Sequence, residues 1–175
     1  MKHYTKLCAL MAIAIFSTTF TACNETDKGV EKPTSKGLYA RGISQDHTQT
    51  DSKVIFDESN IEWFNVTTRE IKFKDMPVPL FELMEPFNEI EFVLDDDILF
   101  VVNSFVGLWD SRVFYNLVLC YGNQESVEIN GKYYLYDCYP LQLSDSEVVK
   151  TNQEKNKSQW ETFLKHLESK GKLRK

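Results

Sequence analysis

Three histidines stand in the 175 residues, His3, His47 and His166. Only His166 falls in a stretch with the periodicity of a folded element, so a Ser-His-Asp or Cys-His nucleophilic site would have to be built around it. Its simplest place is the solvent side of a C-terminal helix. The chain contains no HExxH and no CxxC pair, the spacings that hold zinc, so neither a metal nor another cofactor is expected. The run Asp95, Asp96, Asp97 lacks the spaced ligands and glycine of a calcium loop and reads as a solvated hairpin turn. Glu82 and Glu85 could face one another on a short helix as the carboxylate pair of a glycoside hydrolase. With Asp137 they are the acids on which a hydrolase would draw. A formal charge of −6 and a pI near 5.1 repel phosphate backbones, whose binding depends on cations that displace counterions. Nucleic acid is not an expected partner.

The elements that position these groups begin with an export segment. Met1 to Lys6 carries two lysines, Leu7 to Phe20 is apolar, and Thr21 and Ala22 lead into Cys23. A basic start, a short apolar run and small residues before a cut make a secretory signal over 1–22. The apolar run is shorter than the roughly 20 residues a spanning helix needs. Ala22-Cys23 resembles the lipobox of bacterial lipoproteins, in which the cysteine after a small residue is thioether-linked to diacylglycerol and becomes the new N-terminus. Phe20 and Thr21 depart from the commonest form of that motif. The resemblance implies lipidation at Cys23 and attachment to the membrane of a bacterial cell envelope, at the outer membrane, with its face left open. Several acyl chains on one residue give a stable anchor, since each buried methylene contributes about 0.8 kcal/mol.

Residues 23–52 are polar and hold three of the seven glycines, a composition that reads as a flexible tether. Glu25 and Asp27 behind the lipid site resemble the surface-export signal of Bacteroides-type lipoproteins; a plain solvated tether accounts for them equally.

Residues 53–175 read as a single α+β domain. Val54 to Phe56 is apolar, and Ser59 with Glu62 has capping-box spacing, which predicts a helical turn over 61–64. Arg69 to Lys74 alternates like a half-buried strand. Pro79 and Pro86 frame a short helix. Glu89 to Leu94 and Ile98 to Phe105 predict a hairpin around the aspartates, and Arg112 to Tyr121 a third strand. Asn130-Gly131 is the preferred two-residue hairpin turn and predicts a second hairpin there. Ser144 with Glu147 opens a last helix whose Trp160, Phe163, Leu164 and Leu167 form one apolar stripe, ended by Gly171. The expected fold is a mostly antiparallel sheet of about five strands with this helix packed on it.

With IEWFNVTTREIKF, NGKYYLYDCYP and a Trp-containing terminal helix, the chain is similar to small uncharacterised lipoproteins of Bacteroides-type bacteria over Ile55 to Leu173. That resemblance carries no activity. Cys120 and Cys138 could pair in an oxidising compartment, or serve as small buried apolar side chains; the register predicted from Asn130-Gly131 sets them too far apart for a bond. Tyr134 and Tyr136, on one face of a strand, are the candidate binding surface, with sheet packing as the alternative. The expected role is a non-enzymatic, lipid-anchored module for an envelope protein or glycan, with a carboxylate hydrolase as the other class.

Overall fold

A computed structural model describes residues 36–43, 53–74, 76–105, 111–123 and 128–175. The export segment, Cys23 and most of the tether lie outside these residues. Nine strands are present among them: β1 (Leu38–Ile43), β2 (Val54–Asp57), β3 (Ile61–Asn65), β4 (Glu70–Phe73), β5 (Glu89–Leu94), β6 (Asp97–Phe105), β7 (Val118–Asn123), β8 (Glu128–Tyr136) and β9 (Leu173–Arg174). Helix α1 (Leu80–Met84) follows β4, and α2 (Glu147–Ser169) precedes β9. All nine strands form one sheet in the order β2-β1-β5-β6-β7-β8-β4-β3-β9.

The expected five-stranded, mostly antiparallel sheet is therefore corrected to a larger mixed one. β6 pairs with β7 in parallel, as β3 does with β9. The sheet also curls. β2 lies at one edge and β3 next to the other, yet only residues 58–60 link them, so the two ends of the sheet must approach. Across the resulting concavity Phe56 of β2 meets Phe73 of β4, with ring centroids 4.8 Å apart.

Four local expectations change. Leu38–Ile43, inside the stretch read as tether, is β1, with Leu38, Tyr39 and Ala40 fully buried between β2 and β5. Its signal is masked because Arg41 and Gly42 break the apolar run. Arg41 reaches Glu91 on β5 at 2.6 Å, and Gly42 lies under Phe87, where an added Cβ would stand 2.3 Å from the ring. Only a residue without a side chain allows that approach. Residues 61–64 are strand rather than helix, because Ile61 and Phe64 are needed on the concave face; tertiary burial overrides the capping-box spacing. Asn130-Gly131 lies within β8, not at a two-residue turn. β7 and β8 pair Cys120 with Tyr134 and Asn123 with Glu128, so the chain reverses further upstream, and Gly131 takes a φ of 73° inside the strand. The strand expected from Arg112 is shorter, beginning at Val118, with Phe114 held by an isolated bridge to Tyr139.

The aspartate turn forms as expected. Asp95 and Asp96 have φ of 47° and 76° between the paired Leu94 and Asp97, the conformation of a tight hairpin turn whose twist matches the strands. Asp95 Oδ1 also accepts the Gly37 N–H at 2.7 Å, which fastens β1 to this turn. α1 starts after Pro79 and buries Leu80 and Met84. Ser104, buried on β6, donates its hydroxyl to the Met84 carbonyl.

The last helix starts at Ser146 rather than Ser144; the Ser146 Oγ accepts the Val149 N–H at 3.3 Å. It ends in a Schellman arrangement: Gly171 has a φ of 68°, Lys172 N–H bonds to Leu167 O, and Gly171 N–H to Glu168 O, which satisfies the final carbonyls. Phe163 and Leu167 are fully buried in the concavity. The Phe163 ring lies 5.5 to 5.9 Å from those of Phe64, Phe92 and Phe100. Edge contacts of this kind contribute about 0.5–1.5 kcal/mol each beyond area burial.

Beyond the helix, Lys172 returns the chain to the sheet by donating to the carbonyls of Glu58 and Ile61. Glu58 also receives His166 at 2.6 Å and Lys170 at 3.0 Å. His166 is accordingly half-buried and bound to the β2–β3 turn rather than solvent-facing. Burial alone would raise the Glu58 pKa, but the His166 and Lys170 hydrogen bonds, the Leu38 amide and the Lys170 charge together hold it below the usual value of 4.5.

A candidate binding cleft under the last helix

The N-terminal half of α2 behaves differently from its C-terminal half. Between Glu147 and Lys157 only Val149 is buried, so this half stands off the sheet. On this half Lys150, Gln153, Glu154 and Lys157, at i, i+3, i+4 and i+7, are all exposed and edge a cleft of about 380 Å³. The facing wall is Arg69, Asn116, Leu117 and Asp137, with Trp160 at the inner end. Asn156 donates to Asn116 Oδ1 at 2.9 Å, and Asn152 to the Tyr115 carbonyl at 2.8 Å; these bonds span the cleft side and hold the helix at its distance.

Arg69 organises this wall. It follows the β3–β4 turn, where Asn65 Oδ1 accepts the Thr68 N–H, and it has a φ of 60°. A left-handed conformation at a non-glycine residue costs of order 1 kcal/mol or more and persists only where its surroundings enforce it. Its carbonyl accepts the Leu135 N–H at 2.9 Å, which fixes the residue to β8. Its guanidinium meets Asp137 Oδ2 at 2.5 Å and lies 4.5 Å from the Trp160 ring centroid. The pair is about three-quarters buried, and Arg69 Nη1 is buried without a hydrogen-bond partner among the described residues. Strain, a desolvated ion pair and an unsatisfied donor thus converge on one residue, a concentration that stability alone does not reward.

A second cleft of about 430 Å³ adjoins the first, because Arg69 and Asp137 line both. Here the wall is rich in hydroxyls: Thr67, Thr68 and Ser144, with Tyr134 and Tyr136. The two tyrosines stack at 5.3 Å with rings nearly parallel, and only 5% and 6% of their surface is exposed. They sit among Val118 and Cys120 in a small cluster on the outer face of the sheet, so they meet solvent along the cleft rather than as an open patch. Tyr133 points to the other face. It accepts the Phe81 N–H at 3.0 Å, and burial, offset in part by that bond, pushes its pKa to about 12.

No disulfide joins Cys120 and Cys138. Cys120 is opposite Tyr134, four residues from Cys138, so both are small buried side chains. Cys138 lines the second cleft, but burial and the adjacent Asp137 raise its pKa, which keeps the thiol protonated and a poor nucleophile.

Glu82 and Glu85 are exposed on and after α1, and neither lines the two clefts. Asp137 lies in the cleft wall, paired with Arg69. The three acids therefore do not converge. Among the described residues no three His, Cys, Asp or Glu side chains come together to hold a metal ion, and no helix is long and apolar enough to cross a membrane. A third cleft, between Lys72 and Lys132, is of similar size and lies beside Glu70 and Tyr133.

Arg69, Asn116, Asn156 and Trp160 are the residues that sequence reading misses as a site. They come from three separate segments, Asn156 and Trp160 sharing α2, and Trp160 is legible only as part of a core stripe. Comparison with protein-family models, curated proteins and solved structures gives no match.

Proposed function

We propose that the protein is a non-enzymatic binding module, lipid-anchored to the bacterial envelope through Cys23, which holds a glycan in the cleft beneath α2. The cleft lining carries this reading. Sugars present dense hydroxyls, each needing a donor or acceptor, beside faces of C–H; the cleft offers two asparagines, a glutamine, an arginine and an aspartate around an indole and a leucine. A concave site with a few convergent polar groups on an apolar floor is the usual form of a small-ligand site. The Arg69 pairing holds Asp137 in place as an acceptor, a role suited to binding a hydroxyl.

The test is retention of the full-length, detergent-extracted protein on immobilised glycans, beside Gln153→Trp, which fills the cleft from the exposed face of the helix. Retention of the native protein and its loss in the variant support the reading. Equal retention of both, or capture only by a protein partner at another surface, overturns it. The anchor is tested separately by Cys23→Ala: release of the unmutated protein as a soluble species sinks the lipidated form.

A further inference from the structure

We infer that the two clefts are neighbouring subsites of one site for an acidic oligosaccharide, an inference that rests on the glycan reading above. The Arg69–Asp137 pair is a wall common to both lobes. A ligand unit in either lobe therefore touches the same guanidinium and carboxylate, and a chain of two or more sugars can lie across the pair with its linkage at that point.

The lobes differ in chemistry, which assigns the ends. The lobe under α2 carries Arg69, Lys150 and Lys157 against Asp137 and Glu154, a positive excess in a chain whose formal charge is −6. Lys157 is paired with Glu154 at 3.4 Å, while among the described residues Lys150 has a 3.9 Å approach from the exposed Asp145. Lys150 is thus placed to meet a carboxylate on the sugar ring. The other lobe has hydroxyls from Thr67, Thr68 and Ser144, which donate and accept and suit the next unit's ring hydroxyls, and its Glu70 is paired with Lys132 at 3.2 Å. Joining the two units makes the second binding event intramolecular, so chain length should raise affinity well beyond the sum of new contacts.

The probes are galacturonic acid, its α-linked trimer and the uncharged galactose trimer, titrated calorimetrically into the full-length protein in detergent. The charged trimer is expected to bind at least tenfold tighter than the monomer and at least fivefold tighter than the neutral trimer. Thr68→Trp, and independently Ser144→Trp from the opposite wall, should each bring the trimer's affinity down to that of the monomer. Both positions are exposed, and an unchanged melting temperature shows that the variants fold. Lys150→Gln should erase the preference for the charged trimer. Equal affinity for monomer and trimer, or full trimer affinity in both tryptophan variants, overturns the two-lobed site while leaving the glycan reading in place. Neutral sugars bound as tightly as acidic ones overturn the acidic assignment. Absence of binding by every sugar removes the glycan reading and this inference with it.

Discussion

The two halves of α2 share a backbone and almost nothing else. From Trp160 onward the helix is a structural part: Phe163 and Leu167 fill the concavity of the sheet, while His166 and Lys170 grip Glu58 at the β2–β3 turn. Before Trp160 it is a roof, polar apart from Val148 and the buried Val149 and held off the sheet by Asn152 and Asn156. A helix can serve both ends of this division because its packing is decided turn by turn. An apolar row draws one half into the core, and its absence in the other half leaves a gap that water or a ligand must fill. Trp160 marks the boundary, touching Phe64 and Phe100 on one side and Arg69 on the other.

The contrast is broken most severely by Phe163→Ala. Truncating a fully buried phenylalanine removes transfer energy and leaves a cavity, a loss of about 3–5 kcal/mol; urea denaturation should show it as a large drop in midpoint. Asp137→Ala leaves the Arg69 guanidinium buried and unpaired. A fully buried broken pair costs about 3–5 kcal/mol, and because this one is partly exposed, about 2 kcal/mol is expected by the same measurement. A loss as large as that of Phe163→Ala would make the cleft wall a part of the core.

Glu58→Gln probes the grip on the structural half. The folded-state pKa of Glu58 is depressed, so its stabilisation is present above the unfolded value of about 4.5 and disappears as pH falls through the lower folded value. The variant should be less stable than the native chain by about 1 kcal/mol at pH 7, and the difference should vanish in strongly acidic solution. A gap that stays constant with pH would show that Glu58 acts through packing alone. The smallest effect belongs to the roof. Gln153→Trp should change stability by less than about 0.5 kcal/mol, as substitutions on an exposed helix face do, while abolishing retention on glycans; a large destabilisation would mean that this half of the helix is packed more closely than its side chains show.

Much of the local structure is legible along the chain. The β5–β6 hairpin, its aspartate turn, the short helix between prolines and the stripe of α2 all follow from periods of two or 3.6 residues and from turn chemistry, because each is decided by neighbours in sequence. The pairing of β6 with β7 in parallel is not legible, since nothing near Phe105 or Val118 encodes a partner. β1 is hidden because one strand position is a glycine lying under Phe87 and another an arginine paired across the sheet.

By itself the sequence determined an acidic chain with an export-like start, a lipobox-like cysteine, aromatic strands and one amphipathic terminal helix, since composition and short-range periodicity are properties of adjacent residues. The tertiary structure alone decided that the sheet has nine strands and curls, that His166 binds Glu58, and that Arg69 stands between Asp137 and Trp160. The physical reason is range. Long-range pairing and burial are won by the chain as a whole, and a site assembled from four segments exists only once the sheet has brought them together.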